Sequence, residues 1–146
     1  MAVSRVYSPA GWRTLEANGG AVANAAFVQA DDADFSLAAH GNNYPHLEFE
    51  LSWIHGTAPT VGSALVVFAQ DKNVYGGANS ARAPSANNLQ RLVATIPTDA
   101  ITTQQYKRFD VLMAPADAAY WLYGSGITNA VTAGWQLRAR AFTFEG

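Results

Sequence analysis

The chain reads as an all-β domain, an antiparallel β-sandwich of jelly-roll type with about eight strands and an extended N-terminal arm. Three observations carry that reading. Leu47, Phe49, Leu51 and Trp53 alternate with His46, Glu48, Glu50 and Ser52, so one face of a strand is aimed at a core and the other at water. Turn residues separate several short candidate strands between positions 31 and 134. No segment carries apolar residues at a convincing helical spacing.

Residues 1–20 stand apart from the rest. Ser8-Pro9, Gly11 and Asn18-Gly19-Gly20 punctuate them, and Val6, Tyr7, Trp12 and Leu15 follow no period. This predicts an arm or a first edge segment that ends in a turn. Residues 21–146 are expected to form one sandwich domain, with strands near 21–30, 35–39, 46–55, 63–70, 89–96, 105–113, 119–123 and 135–144. The connectors are Asp31-Asp32-Ala33-Asp34, Gly41-Asn42-Asn43, the turn from Gly56 to Gly62, Pro97-Thr98-Asp99, Pro115-Ala116-Asp117 and the stretch from Gly124 to Gly134. Residues 71–88 form the longest irregular piece, with Arg82 and Pro84 in its middle. A connection of that length predicts a surface excursion and a contact loop.

Two strands are apolar on both faces. Tyr120 and Leu122 oppose Trp121 and Tyr123, while Trp135, Leu137, Ala139 and Ala141 oppose Arg138, Arg140, Phe142 and Phe144. Such a strand is covered on its second side by the same chain or by another subunit, and we expect cover from within the chain. Glu48 and Glu50 are expected to pair across strands with Arg138 and Arg140.

A chain of 146 residues is the size of one domain. Such a domain buries roughly 68–70% of its unfolded surface and needs no metal or disulfide to hold it. Cysteine is absent, so the fold is not built on bridges. Net charge is −2 and the charged fraction is 14%, against an ordinary value of about a quarter. So sparse a charge argues against nucleic acid or an anionic membrane as partner, since both require clustered Lys and Arg. The first twenty residues have no apolar h-region, which predicts no secretory signal, and no window reaches the ~18 apolar residues of a membrane span.

Constellations with possible chemistry are few. The histidines are His40, His46 and His55, and His46, Glu48 and Glu50 share a strand face at a spacing able to converge on a metal. A metal also draws ligands from a second element, and no histidine follows His55, so a solvated polar face is the better expectation. Asp31, Asp32 and Asp34 resemble half a calcium loop but lack its glycine and closing glutamate, which favours a plain turn. Gly124-Ser125-Gly126 lacks the five-residue elbow of a nucleophilic serine, and no phosphate-cradling loop is present. Glu48, Glu50, Asp110 and Asp117 leave a carboxylate pair open by number alone, but such a pair needs opposed placement across a cleft. No catalytic, cofactor-binding or metal-binding residue is therefore assigned, and the chain is expected not to be an enzyme. Four Trp and six Tyr invite a sugar-binding reading, although most occupy alternating strand positions where core packing is the default.

Within residues 51–77, Gly56-Thr57-Ala58-Pro59 is followed by Gly62 and an apolar strand, then by Asn73, Val74 and Tyr75 in the next loop. This order resembles a family of small structural proteins of tailed bacteriophages. Later, the strand at 120–123, the polar stretch 124–132 and Ala133-Gly134 before the final strand extend it over about residues 47–144. The chain departs from the pattern at Asp71-Lys72 and Gly76-Gly77, where the family carries Asp-Gly.

The resemblance implies a non-enzymatic virion protein without cofactor, made in the host cytoplasm and added to a preformed particle. The expected role is that of a capsid decoration (cement) protein on the head. Its partner would be the major capsid protein or another virion protein, and it would form a homo-oligomer, with a trimer suited to a threefold site. A tail or baseplate component and a carbohydrate-binding module for host adsorption are the alternatives. Arg5, Tyr7 and Trp12 of the arm, with Arg82 of the long loop, are the expected partner contacts, because Arg and aromatic anchors dominate interfaces. A simple edge segment is the alternative for the arm.

Overall fold

The computed structural model describes residues 2–31, 35–40, 43–72, 83–86 and 91–145. These contain ten strands: β1 (Ser4–Tyr7), β2 (Arg13–Gly19), β3 (Phe27–Gln29), β4 (Phe35–Ser36), β5 (His46–Trp53), β6 (Ala64–Asp71), β7 (Arg91–Pro97), β8 (Gln105–Val111), β9 (Asp117–Ser125) and β10 (Trp135–Glu145). A 3-10 turn covers Leu37–His40. The front sheet is ordered β1–β10–β5–β8 with β2 also on β10, and the back sheet β3–β9–β6–β7 with β4 also on β9. Every pairing between strands is antiparallel.

β1 and β2 follow one another along β10 on the side away from β5, and β3 and β4 do the same along β9. Counted as two interrupted strands, they leave eight strand positions in the orders 1-8-3-6 and 2-7-4-5. That is the order of a jelly roll, two Greek keys wound together.

Alternation explains the layers. Leu47, Phe49, Leu51 and Trp53 of β5 turn inward with Trp135, Leu137, Ala139 and Ala141 of β10. They meet Leu65, Val67 and Ala69 of β6 and Tyr120 and Leu122 of β9 from the back sheet. Phe49 stacks on Phe109 at 5.1 Å within its own sheet and meets the edge of Tyr120 at 4.9 Å across the gap. Full burial of each large apolar side chain contributes about 1.5–3 kcal/mol.

The boundaries differ from the sequence reading where that reading relied on period. Residues 4–19 are two strands of the front sheet. Their pattern hides this because two register shifts where β2 meets β10 put the adjacent Leu15 and Glu16 both in the interior. Of 21–30 only Phe27–Gln29 is strand, and Val22 instead makes a single bridge to Val131. The expected strand at 35–39 ends at Ser36, where Leu37 N–H donates to the Ala116 carbonyl and the 3-10 turn begins. β8 stops at Val111, and Met113 takes a left-handed φ of 52° in the turn that follows. Asp32, Asp34, Gly41, Asn42 and residues 73–82, including Asn73, Val74, Tyr75, Gly76, Gly77 and Arg82, lie outside the described residues.

The loops 20–26, 54–63 and 126–134 gather at one end. His55 and Val22 both bridge to Val131, and the Asn129 amide donates to the Ala58 carbonyl. The opposite end is closed by 43–45 and 112–116, where Ala114 N–H donates to the Pro45 carbonyl.

Candidate functional site: the outer face of the front sheet

Four cross-strand rows make up this face, and the register fixes their composition. Tyr7, Phe142 and His46 form one; Arg140, Glu48 and Asp110 the next; then Thr14, Arg138, Glu50 and Arg108; and finally Gln136, Ser52 and Tyr106. Arg5 sits opposite Phe144 at the near edge. Charged side chains thus occupy the middle of the sheet, and each has an opposite charge within reach.

Glu48 is the most enclosed member. Its Oε1 accepts from Arg140 Nε at 2.9 Å and Nη2 at 2.7 Å, and its Oε2 from Arg5 Nη1 at 2.7 Å and the Tyr7 hydroxyl at 2.9 Å. Glu50 Oε1 accepts from Arg138 Nε at 2.9 Å, and Oε2 from Arg108 Nε at 2.7 Å. Arg5 also forks onto Asp110 at 2.7 and 3.1 Å. Burial alone pushes the Glu48 carboxyl up, but the hydrogen bonds from Arg140, Tyr7 and Arg5 outweigh it and hold the group below its ordinary range. The Arg108 hydrogen bond, opposed by partial burial and reinforced by Arg138, holds Glu50 low as well. The bond to Asp110 raises Arg5.

Aromatic rings lock the guanidinium groups from the other side. Arg5 lies 4.1 Å from the Phe142 ring centroid and Arg140 3.6 Å from Tyr7. Trp12, in the link between β1 and β2, has Arg138 at 4.4 Å and Arg140 at 4.5 Å. Phe142 points away from the core and is nonetheless fully buried, beneath Arg5, Tyr7 and His46. The second side of β10 is therefore covered from within the chain at Phe142, while Phe144 stays exposed. On the back sheet Phe27 of β3 packs against Tyr123 at 4.4 Å and Phe68 at 5.9 Å, while the Trp121 indole N–H donates to Gln70.

Of the four expected contact residues, Arg5, Tyr7 and Trp12 come together here, and Arg82 lies outside the described residues. The expected carboxylate–arginine pairs form between directly opposite residues, Glu48 with Arg140 and Glu50 with Arg138. His46 does not join Glu48 and Glu50 around a common centre: its Nδ1 accepts from Met113 N–H at 2.9 Å. Among the described residues no three His, Asp or Glu side chains are placed to hold one metal ion.

Arg108 is not singled out by the sequence reading and Asp110 enters it only as one of four carboxylates, although their spacing of two beside Phe109 puts both on one strand face. Glu16 had no signal at all. It is buried, its Oε1 accepting from Asn18 N–H at 2.8 Å and Oε2 from Asp31 N–H at 2.9 Å.

Beyond Trp12 the face opens into a groove of about 510 Å³ that crosses β2, β10, β5 and β8 in order. The Glu50–Arg138 pair lies between the groove and the locked Arg–aromatic zone. No protein-family model matches the chain, and no curated protein matches it. Fold and face together define a jelly-roll module on whose outer face Arg5, Tyr7, Trp12, Arg138 and Arg140 are held by ion pairs and ring contacts.

Proposed function

We propose that the chain is a non-enzymatic structural protein of a bacteriophage particle. Its role is that of a capsid decoration (cement) protein docking on the major capsid protein or another virion protein. One observation carries the reading: Arg5, Tyr7 and Trp12 converge with Arg108, Arg138 and Arg140 into a single surface locked by ion pairs and rings. Arg and aromatic side chains supply most hot-spot energy at protein interfaces. Side chains already held in place lose little freedom on docking, so more of the contact energy remains as affinity. Jelly rolls recur in viral capsid domains, which supports the reading by architecture without deciding it. A homo-oligomer, a trimer at a threefold site, completes the proposal.

Such a protein stabilises a shell by binding the assembled state selectively, so its effect scales with its concentration relative to Kd. Purified chain added to phage heads assembled without it should co-sediment with them and raise the temperature at which they release DNA. Trp12→Ala and Arg5→Ala should each weaken co-sedimentation about tenfold or more. Heads that neither retain the folded protein nor gain heat resistance would remove the reading. Label found on tails alone would move the protein to the tail or baseplate.

A further inference from the structure

We infer that the groove across β2, β10, β5 and β8 is a binding site for a neutral glycan, a function separate from docking on a particle. Its volume of about 510 Å³ falls within the ~300–1,000 Å³ of small-ligand sites. The lining gathers the hydroxyls of Thr14 and Ser52 and the amides of Gln104 and Gln136 beside the Glu50–Arg138 pair. Among the described residues no side-chain hydrogen bond engages those four groups; Thr14, Gln104 and Gln136 are exposed, and Ser52 is buried beneath them. On the β8 side stands Tyr106, 65% exposed. It also borders a second concavity of about 490 Å³ lined by Trp53, Ile96 and Ile101, so the ring stands between two hollows. An exposed ring at that position offers an apolar face to the C–H side of a sugar.

Charge and backbone exclude the other ligand classes. Glu50 is engaged by Arg108 and Arg138, and Glu16 by two backbone N–H groups, so neither carboxylate is free for a cation. Two carboxylates against one guanidinium in the lining disfavour phosphates and nucleic acid, which require a positive channel. β5 and β10, in the middle of the groove, are each paired on both sides, so an extended peptide lying there finds no free strand edge beneath it. Hydroxyl, amide and paired-charge groups around one exposed ring suit a ligand rich in uncharged hydroxyls.

The test uses the purified chain and no particle, so its outcome is independent of the virion reading. Gluco-, manno-, galacto- and N-acetylglucosamine oligosaccharides would be titrated by calorimetry and by amide NMR. At least one series should bind at millimolar or tighter Kd, with shifts centred on Ser52, Gln136 and Tyr106. Tyr106→Ala and Gln136→Ala should each weaken it about tenfold or more with unchanged melting temperature, and Leu92→Ala, at an exposed position of β7 in the back sheet, should leave it within about twofold. No binding across the panel, shifts elsewhere on the molecule, or affinity that survives Tyr106→Ala in a folded protein would overturn the assignment.

Discussion

Glu48 holds the outer face together, because three donors from two other strands converge on its carboxylate. Replacing it by Gln keeps the shape but leaves Arg140 without its partner charge and Arg5 with Asp110 alone. Hydrogen bonds to charged groups contribute about 1.5–3 kcal/mol, so Glu48→Gln should lower unfolding free energy in urea by about 2 kcal/mol. Glu50, more open to water, should show about half that loss. The same groups set an acid limit. Both carboxyls are held below their unfolded value in the folded protein, so their stabilisation is complete above about pH 4.3 and is lost as pH falls through the lower folded values. Melting temperature should therefore drop below about pH 4.3, and the Glu48→Gln, Glu50→Gln double variant should show a visibly flatter acid limb. An equally steep limb in the double variant would place the acid sensitivity elsewhere.

β2 illustrates how one close approach fixes a strand. Trp135 of β10 is buried over Gly19, and its indole N–H donates to the Gly20 carbonyl at 2.7 Å. A Cβ at Gly19 would stand 2.1 Å from that ring, so the Trp has to move or β2 has to leave the sheet. Gly19→Ala should cost about 1–3 kcal/mol and shift the tryptophan emission, whereas Gly20→Ala, with nothing within 4 Å, should change little.

The same strand shows what could be foreseen. β5 was legible because strict period-two alternation maps onto a sheet with one buried face, and β10 because its row Trp135, Leu137, Ala139 and Ala141 keeps the same period. From them followed the inward rows, the facing carboxylates and arginines, and the sandwich itself. β1 and β2 were not legible as strands. β1 carries Arg5 and Tyr7 on the outer face, where charged and aromatic residues replace the expected apolar set, and the bulge in β2 erases the period around Leu15 and Glu16. Of the face, the anchors Arg5, Tyr7 and Trp12 were recognisable by type. The groove was not, since it exists only once four strands distant in sequence are set side by side.

The jelly roll joins its ends through β10, which pairs with β1, β2 and β5 at once. Ser4 meets Glu145 across 141 residues, and Arg5 reaches Glu48 and Asp110 from strands three and six positions along the winding. Almost none of the front sheet can form from local contacts, so loop closure opposes folding before any of its pairings is rewarded. Refolding after a urea jump should therefore fall in the millisecond-to-second range that non-local β topologies show, followed by tryptophan fluorescence. Trp53 and Trp135 face the core from the front sheet while Trp121 lies on the outer side of the back sheet, so each layer carries its own reporter. Trp121→Phe should leave the rate unchanged while removing the back-sheet signal, and the remaining amplitude should still rise in a single phase if the two sheets close together. A complete microsecond phase, or a Trp121 signal that recovers well before the front-sheet tryptophans, would mean that the back sheet folds alone and that β10 is added to a preformed half.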